Sequence, residues 1–293
     1  MLDLQNLTKT FGNVKALDDL TMTVSRGAVY GLVGPNGAGK STAIRCLLGV
    51  YRPDCGTVTL DGAPVYENPV AKARIGSIPD DIFYFPSATM EDMRKFYQGI
   101  YPKFDQALYY KLFEAFDLPK KAPLRRFSKG MQKQAAFHLT LCTRPEVLVL
   151  DEPVDGLDPV MRRQVWSLIL SEVAKEETTV LISSHNLREL EDICDHVGIM
   201  DHGRMLLQRS LADMQGATHK LQLVGNIPEG LEILHQNQSG RLTTLIVRGK
   251  AEDIAAKAQA AQCVYFDVLP LSLEEIFIYE LGGVNYEVKN IVL

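Results

Sequence analysis

Residues 34–41 read GPNGAGKS, a spacing of glycines, lysine and serine that suits phosphate binding. Glycines allow the backbone to wrap an anion and direct N–H groups toward it. Lys40 would bring a positive charge to the terminal phosphates of a nucleotide, and Ser41 would offer a hydroxyl to Mg²⁺. An apolar stretch, AVYGLV, precedes the loop, and a helical pattern follows it, which is the setting that this chemistry requires. The stretch therefore predicts a site for the phosphates of a nucleotide and for Mg²⁺.

A second stretch, EVLVLDEP at residues 146–153, ends an apolar run in two adjacent carboxylates. The run predicts a buried strand, and neighbouring side chains of a strand point to opposite faces. We therefore expect Asp151 to face the phosphate loop and join the Mg²⁺ sphere. Glu152 should point away from that sphere and act as a general base near the γ-phosphate. Pro153 should end the strand. Without the phosphate loop, a helix-capping Asp151 and a solvated Glu152 would be preferred.

The overall composition indicates a globular protein. The 293 residues are 46% hydrophobic and carry a net charge of −5, which favours one large and one small domain and no nucleic-acid partner. The sequence starts without a signal-peptide pattern, and no apolar run approaches the roughly 18 residues of a membrane helix. Five scattered cysteines without a C-x-x-C pair indicate reduced thiols in a cytosolic protein and argue against a zinc site.

Hydrophobic periodicity predicts an α/β protein in which a parallel sheet carries both chemical stretches. Between residues 146 and 201, apolar strand-like runs alternate with helical patterns at 160–176 and 186–195. The other elements predicted for this part are strands within 1–33 and at 55–62, and helices within 88–143.

Residues 207–293 differ in character and are predicted to form a small α+β appendage after a first domain of residues 1–206. The pattern favours two strands on either side of a polar loop, then a helix, a strand and a closing helix. The segments are strands at 219–224 and 243–249, the loop at 225–241, a helix at 251–262, a strand at 264–269 and a helix at 272–281.

Further motifs, in order over roughly residues 1–206, resemble the nucleotide-binding subunits of ABC transporters. GPNGAGKST resembles the Walker A motif, VLVLDEP the Walker B motif with its glutamate, FSKGMQKQ the signature motif and DGLDP the D-loop. ISSHNLRELEDICD places His185 at the switch-histidine position, and Phe11 lies where the family stacks an aromatic ring on adenine. The resemblance implies a P-loop NTPase with a RecA-like parallel core, an N-terminal antiparallel β subdomain and a helical signature subdomain at 82–145.

The resemblance also implies two ATP molecules sandwiched between two subunits that pair head to tail. The second subunit would be another copy of this chain or a paralogous ABC subunit. Ser128 would then reach the γ-phosphate held by the partner's loop, although a serine there also suits a helix cap. By role, the expected residues are Glu152 and His185 for catalysis; Phe11, Gly34, Pro35, Asn36, Gly37, Ala38, Gly39, Lys40, Ser41, Thr42, Ser128, Lys129, Gly130 and Met131 for ATP; and Ser41, Asp151 and Asp80 for Mg²⁺.

Two positions depart from the family pattern. In IGSIPDD, Asp80 stands where the family has glutamine; it could reach Mg²⁺ through water but would add negative charge near the phosphates. In the signature, Lys129 replaces a glycine and could face either the partner's phosphates or solvent. The SKGM pattern resembles the branch that exports antibiotics, peptides or lipids through separate membrane subunits.

Aromatic residues crowd residues 82–104, where the family receives the coupling helix of its membrane protein. Some of them must be core, and the others are expected to line a docking groove for an integral membrane subunit. The chain would then be cytoplasmic and peripheral on the inner face of the cell membrane. The aromatic side chains are Phe83, Tyr84, Phe85, Phe96, Tyr97, Tyr101 and Phe104.

Three other interpretations differ in class from an exporter ATPase. A soluble ABC ATPase acting on ribosomes or DNA would usually carry two nucleotide domains or long coiled-coil insertions. A GTPase would carry an N-K-x-D motif, which the sequence lacks. A regulatory or immunity-type ABC protein would bind ATP and hydrolyse it weakly, and Asp80 is the residue that suggests it.

Overall fold

A computed structural model describes residues 1–176, 178–276 and 278–279 of the chain. Its strands are β1 (Leu2–Phe11), β2 (Val14–Val24), β3 (Val29–Val33), β4 (Cys55–Leu60), β5 (Ala63–Pro64), β6 (Ile75–Ile78), β7 (Val147–Asp151), β8 (Thr179–Ser184), β9 (His196–Asp201), β10 (Arg204–Ser210), β11 (Thr218–Val224), β12 (Glu232–Ser239), β13 (Leu242–Arg248) and β14 (Tyr265–Pro270).

The α-helices cluster between β6 and β7 and alternate with the strands from β7 to β9. They are α1 (Lys40–Leu47), α2 (Pro69–Lys72), α3 (Met90–Ile100), α4 (Gln106–Phe116), α5 (Lys129–Leu141), α6 (Pro159–Glu176), α7 (Arg188–Glu191), α8 (Leu211–Ala217), α9 (Ala251–Ala260) and α10 (Leu273–Ile276), with a 3₁₀ turn at Leu124–Arg126.

The chain divides into two compact units, one of residues 1–185 and 193–208 and the other of 186–192 and 209–293. The domain boundary expected after residue 206 stays a prediction. In the described part of the chain, no helix combines the length and apolarity needed to span a bilayer.

A six-stranded sheet, in the order β10-β9-β3-β8-β7-β6, forms the centre of the first unit. The four pairings from β9 to β6 are parallel. Strands β3, β7 and β8 are buried along their whole length, which explains their continuous apolar runs. Because these strands are parallel, their carboxyl ends meet at one edge, where Asp151 pairs in register with Ser183.

An antiparallel sheet in the order β2-β1-β4-β5 packs beside this centre. The hairpin between β1 and β2 turns at Gly12, whose φ of 57° lies in the left-handed region that glycine tolerates. Leucines from β1 and β2 join Tyr30, Leu32 and Met200 of the parallel sheet in one buried cluster. This core fixes the phosphate loop between two sheets.

The helices between β6 and β7 confirm the helical pattern predicted for residues 88–143. A capping box of Thr89 and Asp92 begins α3, and the Asp105 carboxylate caps α4 by accepting from Leu108 N–H. Helix α5 begins after Ser128 and is buried along most of its length. Together with the two sheets, these helices confirm the predicted α/β class.

The second unit contains an antiparallel sheet in the order β12-β13-β11-β14, with α9 packed against one face. The polar loop predicted at 225–241 is wrong, because Glu232–Ser239 forms β12 and pairs with β13. Strand β12 lies at the sheet edge with nearly every side chain exposed, so it lacks the apolar alternation by which strands are recognised.

Two helix predictions need comment. The helix expected at 186–195 shrinks to one turn, α7. The closing helix expected at 272–281 is described only in part: Leu273–Ile276 is helical, and residues 277 and 280–281 lie outside the described residues.

Candidate active site

The phosphate loop has the predicted strand–loop–helix form, with β3 ending at Val33 and α1 beginning at Lys40. Gly37 and Gly39 have φ of 86° and 103°, values that favour glycine. A Cβ on Gly39 would come within 2.5 Å of the Ala16 carbonyl oxygen, and one on Gly34 within 2.3 Å of that of Met200. The glycine spacing thus follows from both backbone conformation and close packing.

Lys40 is buried at the start of α1 and lies within the loop. Its Nζ donates to the Gly34 carbonyl at 2.6 Å and to that of Pro35 at 3.3 Å, and it lies 3.7 Å from Glu152 Oε1. Burial lowers the pKa of Lys40, and the charges of Glu152 and Asp151 oppose that shift. An ammonium enclosed by backbone carbonyls at a helix N-terminus suits a polyphosphate.

Ser41 and Asp151 come together as the metal prediction requires. The Ser41 hydroxyl donates to Asp151 Oδ1 at 3.3 Å, and the Ser183 hydroxyl donates to the same oxygen at 2.5 Å. A hydroxyl beside a buried carboxylate fits Mg²⁺, which is usually held by one or two protein oxygens, phosphate oxygens and water. Among the described residues, no group of three or more His, Cys, Asp or Glu side chains could hold a metal ion. Phosphate and water oxygens would therefore have to complete the coordination of Mg²⁺.

The expected opposite orientation of Asp151 and Glu152 is wrong. Asp151 reaches Ser41, and Glu152 reaches Lys40, so both carboxylates face the phosphate loop. Strand β7 ends at Asp151, and Glu152 has a φ of 48°, in the left-handed region. Alternation therefore stops one residue before Glu152, and the left-handed turn brings its side chain back toward the loop.

Glu152 and His185 are in direct contact. His185 Nδ1 and Glu152 Oε2 are 2.9 Å apart, with the carboxylate as acceptor when Nδ1 carries the proton. Burial raises the pKa of Glu152, while His185 and Lys40 oppose this effect. A partly buried carboxylate of raised pKa, oriented by a histidine, has the properties of a general base.

The signature residues occupy the first turn of α5. The Ser128 hydroxyl accepts from Met131 N–H at 3.3 Å, so the helix-cap geometry is present, and Ser128 is exposed. Lys129 Nζ lies 3.4 Å from Asp155 Oδ2 of the same chain's D-loop. The described contacts of Ser128 and Lys129 do not include the phosphate loop, and their role toward ATP stays a prediction.

Asp80 has an environment that the sequence did not suggest. Its half-exposed carboxylate lies 3.7 Å from the ammonium of Lys133, which is 1% exposed. Burial lowers the pKa of Lys133, and the charge of Asp80 opposes that shift. This ion pair offsets the negative charge that Asp80 would otherwise bring toward the phosphates.

Phe11 ends β1 with its ring 43% exposed. The ring packs edge-on against Tyr51 at a centroid distance of 5.3 Å, with Lys9 Nζ 5.5 Å from its centroid. An exposed aromatic face beside a second ring suits stacking on a base.

Three residues at this site were missed by the sequence analysis. Ser183 could have been found, because it lies near the carboxyl end of a predicted strand that neighbours β7 in a parallel sheet. Tyr51 and Lys133 gave no signal, since a tyrosine after a helix and a lysine within one are usually surface residues.

A model of the ABC transporter family matches residues 17–155. The chain is 30% identical over 288 residues to the ABC transporter ATP-binding protein YtrB of Bacillus subtilis, covering 97% of this chain and 99% of that protein. It is 32% identical to the Nod factor export ATP-binding protein I of Burkholderia lata, covering 96% and 97%.

Among solved structures, an ATP-binding subunit of an ABC transporter matches 73% of this chain and 92% of its own, at 26% identity and a TM-score of 0.68. A dimeric ATP-binding cassette bound to ADP and phosphate matches 72% and 99% at a TM-score of 0.65; its 19% identity supports the likeness of fold alone. These likenesses agree with the predicted P-loop NTPase fold.

Proposed function

The chain belongs to the family of ABC transporter ATP-binding proteins and is an ATPase coupled to transport, and from this premise we propose that it powers an exporter with a separate membrane subunit. The observation that carries the proposal is the constellation of Lys40, Glu152 and His185, with Glu152 within 3.7 Å of the lysine and 2.9 Å of the histidine. Full-length similarity to proteins named for Nod factor export supports the direction of transport.

In this proposal the residues of the site divide the tasks of hydrolysis. Lys40 holds the β- and γ-phosphates, and Glu152 accepts a proton from the attacking water. His185 orients the Glu152 carboxylate and reaches the γ-phosphate. Mg²⁺, held by Ser41 and Asp151 directly or through water, would neutralise charge on the phosphates.

Two subunits would share each ATP. Ser128 and Gly130, exposed or half-buried at the N-terminus of the 13-residue helix α5, are available to a phosphate of the partner subunit. The helix dipole favours an anion there. The partner is a second copy or a paralogous subunit.

The surface for the membrane subunit would be an aromatic patch, defined as Phe83, Phe85 and Phe96. These residues are 71%, 49% and 46% exposed. The ring of Phe85 contacts those of Phe83 and Phe96, in each case edge-on. Exposed aromatics in contact are typical of protein interfaces. Docking there would hold the chain at the inner face of the cell membrane, with no role for nucleic acid.

The test compares the full chain with Phe83→Asp/Phe85→Asp in membranes of cells that make the cognate transporter. We expect Mg²⁺-dependent phosphate release from both purified proteins, but retention at the membrane for the wild type and not for Phe83→Asp/Phe85→Asp. Val264→Asp is the control, because Val264 is 86% exposed in the second unit. If Phe83→Asp/Phe85→Asp were retained at the membrane as well as Val264→Asp and the wild type, the docking surface would be contradicted.

The alternative, a regulatory or immunity-type ABC protein with weak hydrolysis, rests on Asp80 at the position of the family's glutamine. The turnover number for ATP separates the two. The median kcat of enzymes is about 10 per second, and a protein that mainly binds ATP would have a kcat orders of magnitude lower.

A further inference from the structure

Lys133 is a buried charge in the middle of helix α5, and the proposed mechanism gives it no task. Its Nζ donates to the carbonyl oxygen of Glu152 at 2.7 Å and to that of Asp155 at 3.0 Å. The Asp80 carboxylate lies 3.7 Å away on another segment. Since burying an ammonium is unfavourable unless hydrogen bonds and a countercharge compensate, all these contacts define where Lys133 can sit.

The backbone that Lys133 holds is strained. Glu152 has a φ of 48°, a value that residues other than glycine, asparagine, aspartate and histidine rarely adopt. Both peptide groups of this residue are fixed. Its N–H donates to the carbonyl and hydroxyl oxygens of Ser183 at 3.2 and 3.1 Å, and its carbonyl accepts from Lys133.

This conformation decides where the Glu152 carboxylate goes. A continued strand would send the side chain to the face opposite Asp151. The left-handed turn instead brings it to His185 and Lys40. Loss of the hydrogen bond to the Glu152 carbonyl would release the turn and let the carboxylate leave its position.

We propose that Lys133 is a positioning residue for ATP hydrolysis, which holds the carbonyls of Glu152 and Asp155 so that the Glu152 carboxylate stays beside His185 and Lys40. The two carbonyls hold the ammonium in place, and the half-exposed Asp80 carboxylate, 3.7 Å away, adds a weaker countercharge. The inference rests on the proposed role of Glu152 as the base. It assigns to the signature helix a contact with the catalytic turn of its own chain.

Lys133→Met keeps an unbranched side chain suited to burial but removes the charge and the donors. We expect kcat to fall about 10- to 100-fold with the KM for ATP within about threefold, because a misplaced base affects the chemical step and leaves the phosphate ligands intact. Lys133→Arg, which keeps charge and donors, should recover a large part of kcat. Lys111→Met, at an exposed lysine of α4, is the matched control and should behave as wild type.

The double variant Lys133→Met/Glu152→Gln tests whether Lys133 acts through Glu152. If it does, adding Lys133→Met to Glu152→Gln should change the residual turnover less than about twofold. An equal fold-loss in both backgrounds would overturn the proposal, as would wild-type kcat in Lys133→Met. Should circular dichroism show that Lys133→Met does not fold, Lys133→Gln takes its place in the same comparison.

The outcomes also separate this inference from the proposed function. Wild-type turnover in Glu152→Gln alone removes Glu152 as the base, and with it both the hydrolysis mechanism given under the proposed function and this inference, which rests on that mechanism. An inactive Glu152→Gln beside a fully active Lys133→Met leaves the function standing and removes only the positioning role.

Discussion

The carboxyl edge of the central sheet and the sheet of the second unit differ in how far their charged side chains are exposed. At the first, Lys40, Asp151 and Lys133 are at most 7% exposed, and both lysines contact Glu152, Lys40 at its carboxylate and Lys133 at its carbonyl. In the second unit, the Arg248–Glu232 pair joins side chains that are 50% and 61% exposed. Buried charge is unfavourable and is retained where it has a task, so the difference locates the chemistry.

The largest expected effect is that of Glu152→Gln, because it removes the base without removing a phosphate ligand. Turnover should fall about 100- to 10,000-fold, the range for loss of general-base catalysis, while ATP binding remains. Phosphate release and size-exclusion chromatography with ATP measure the loss and the expected trapped dimer. Wild-type turnover would remove Glu152 from this role.

Lys40→Ala should act on binding rather than on chemistry. The lost charge-assisted hydrogen bonds, each worth roughly 1.5–3 kcal/mol, predict an ATP affinity at least about tenfold weaker. Fluorescent-nucleotide titration measures it. An unchanged affinity would mean that the loop does not hold phosphates, and the buried charge there would need another explanation.

Mixed dimers test whether the buried edge is completed by a second subunit. Ser128→Arg and Lys40→Ala should each be inactive alone, but a mixed dimer contains one site with both residues intact. Mixing should restore at most about half of the activity per mixed dimer if the sites are independent, and less if they are coupled.

Crosslinking must first show that mixed dimers form. No recovery in such a mixture, together with wild-type turnover that does not depend on protein concentration, would mean that the signature works within its own chain.

Asp80→Gln should have a smaller effect, because the carboxylate is half-exposed and already faces Lys133. Loss of one negative charge should improve ATP affinity or the Mg²⁺ dependence of turnover modestly, by less than about threefold. A strong loss of activity in a Mg²⁺ titration would instead identify Asp80 as a needed ligand or countercharge.

Arg248→Ala should have the smallest effect. Exposed ion pairs contribute about 0–1 kcal/mol, so the free energy of unfolding should change by less than that and turnover not at all. Urea denaturation and phosphate release measure both. A larger change would remove the contrast between the two regions.

The sequence was most informative where chemistry restricts residue types. The glycine spacing of the loop, the lysine that begins α1 and the apolar run before Asp151 each have one structural solution, and the structure contains it. Where several backbones fit one pattern, prediction failed. The left-handed Glu152 could not be read from EVLVLDEP, because the turn depends on Ser183 and Lys133 from distant segments.

In the second unit the exposed edge strand β12 looked like a loop for a similar reason. A strand whose pairing comes from its neighbour's backbone needs no apolar face of its own. The aromatic residues of 82–104 fall between these cases: Tyr84 is buried at 4% exposure and Phe83 is 71% exposed, yet their sequence context is alike.

The residues directly after His185 have a consequence for protein engineering. Residues 186–192 belong to the second unit, where Arg188 Nε donates to Glu274 Oε2 at 2.8 Å and α10 packs against α7. A shortened protein ending at residue 208 would keep α7, which follows His185 closely along the chain, but would lose the contacts of α7 with Glu274 and α10. Loss of activity after such a truncation would therefore be poor proof of a regulatory domain, and Glu274→Ala in the full chain is the cleaner dissection.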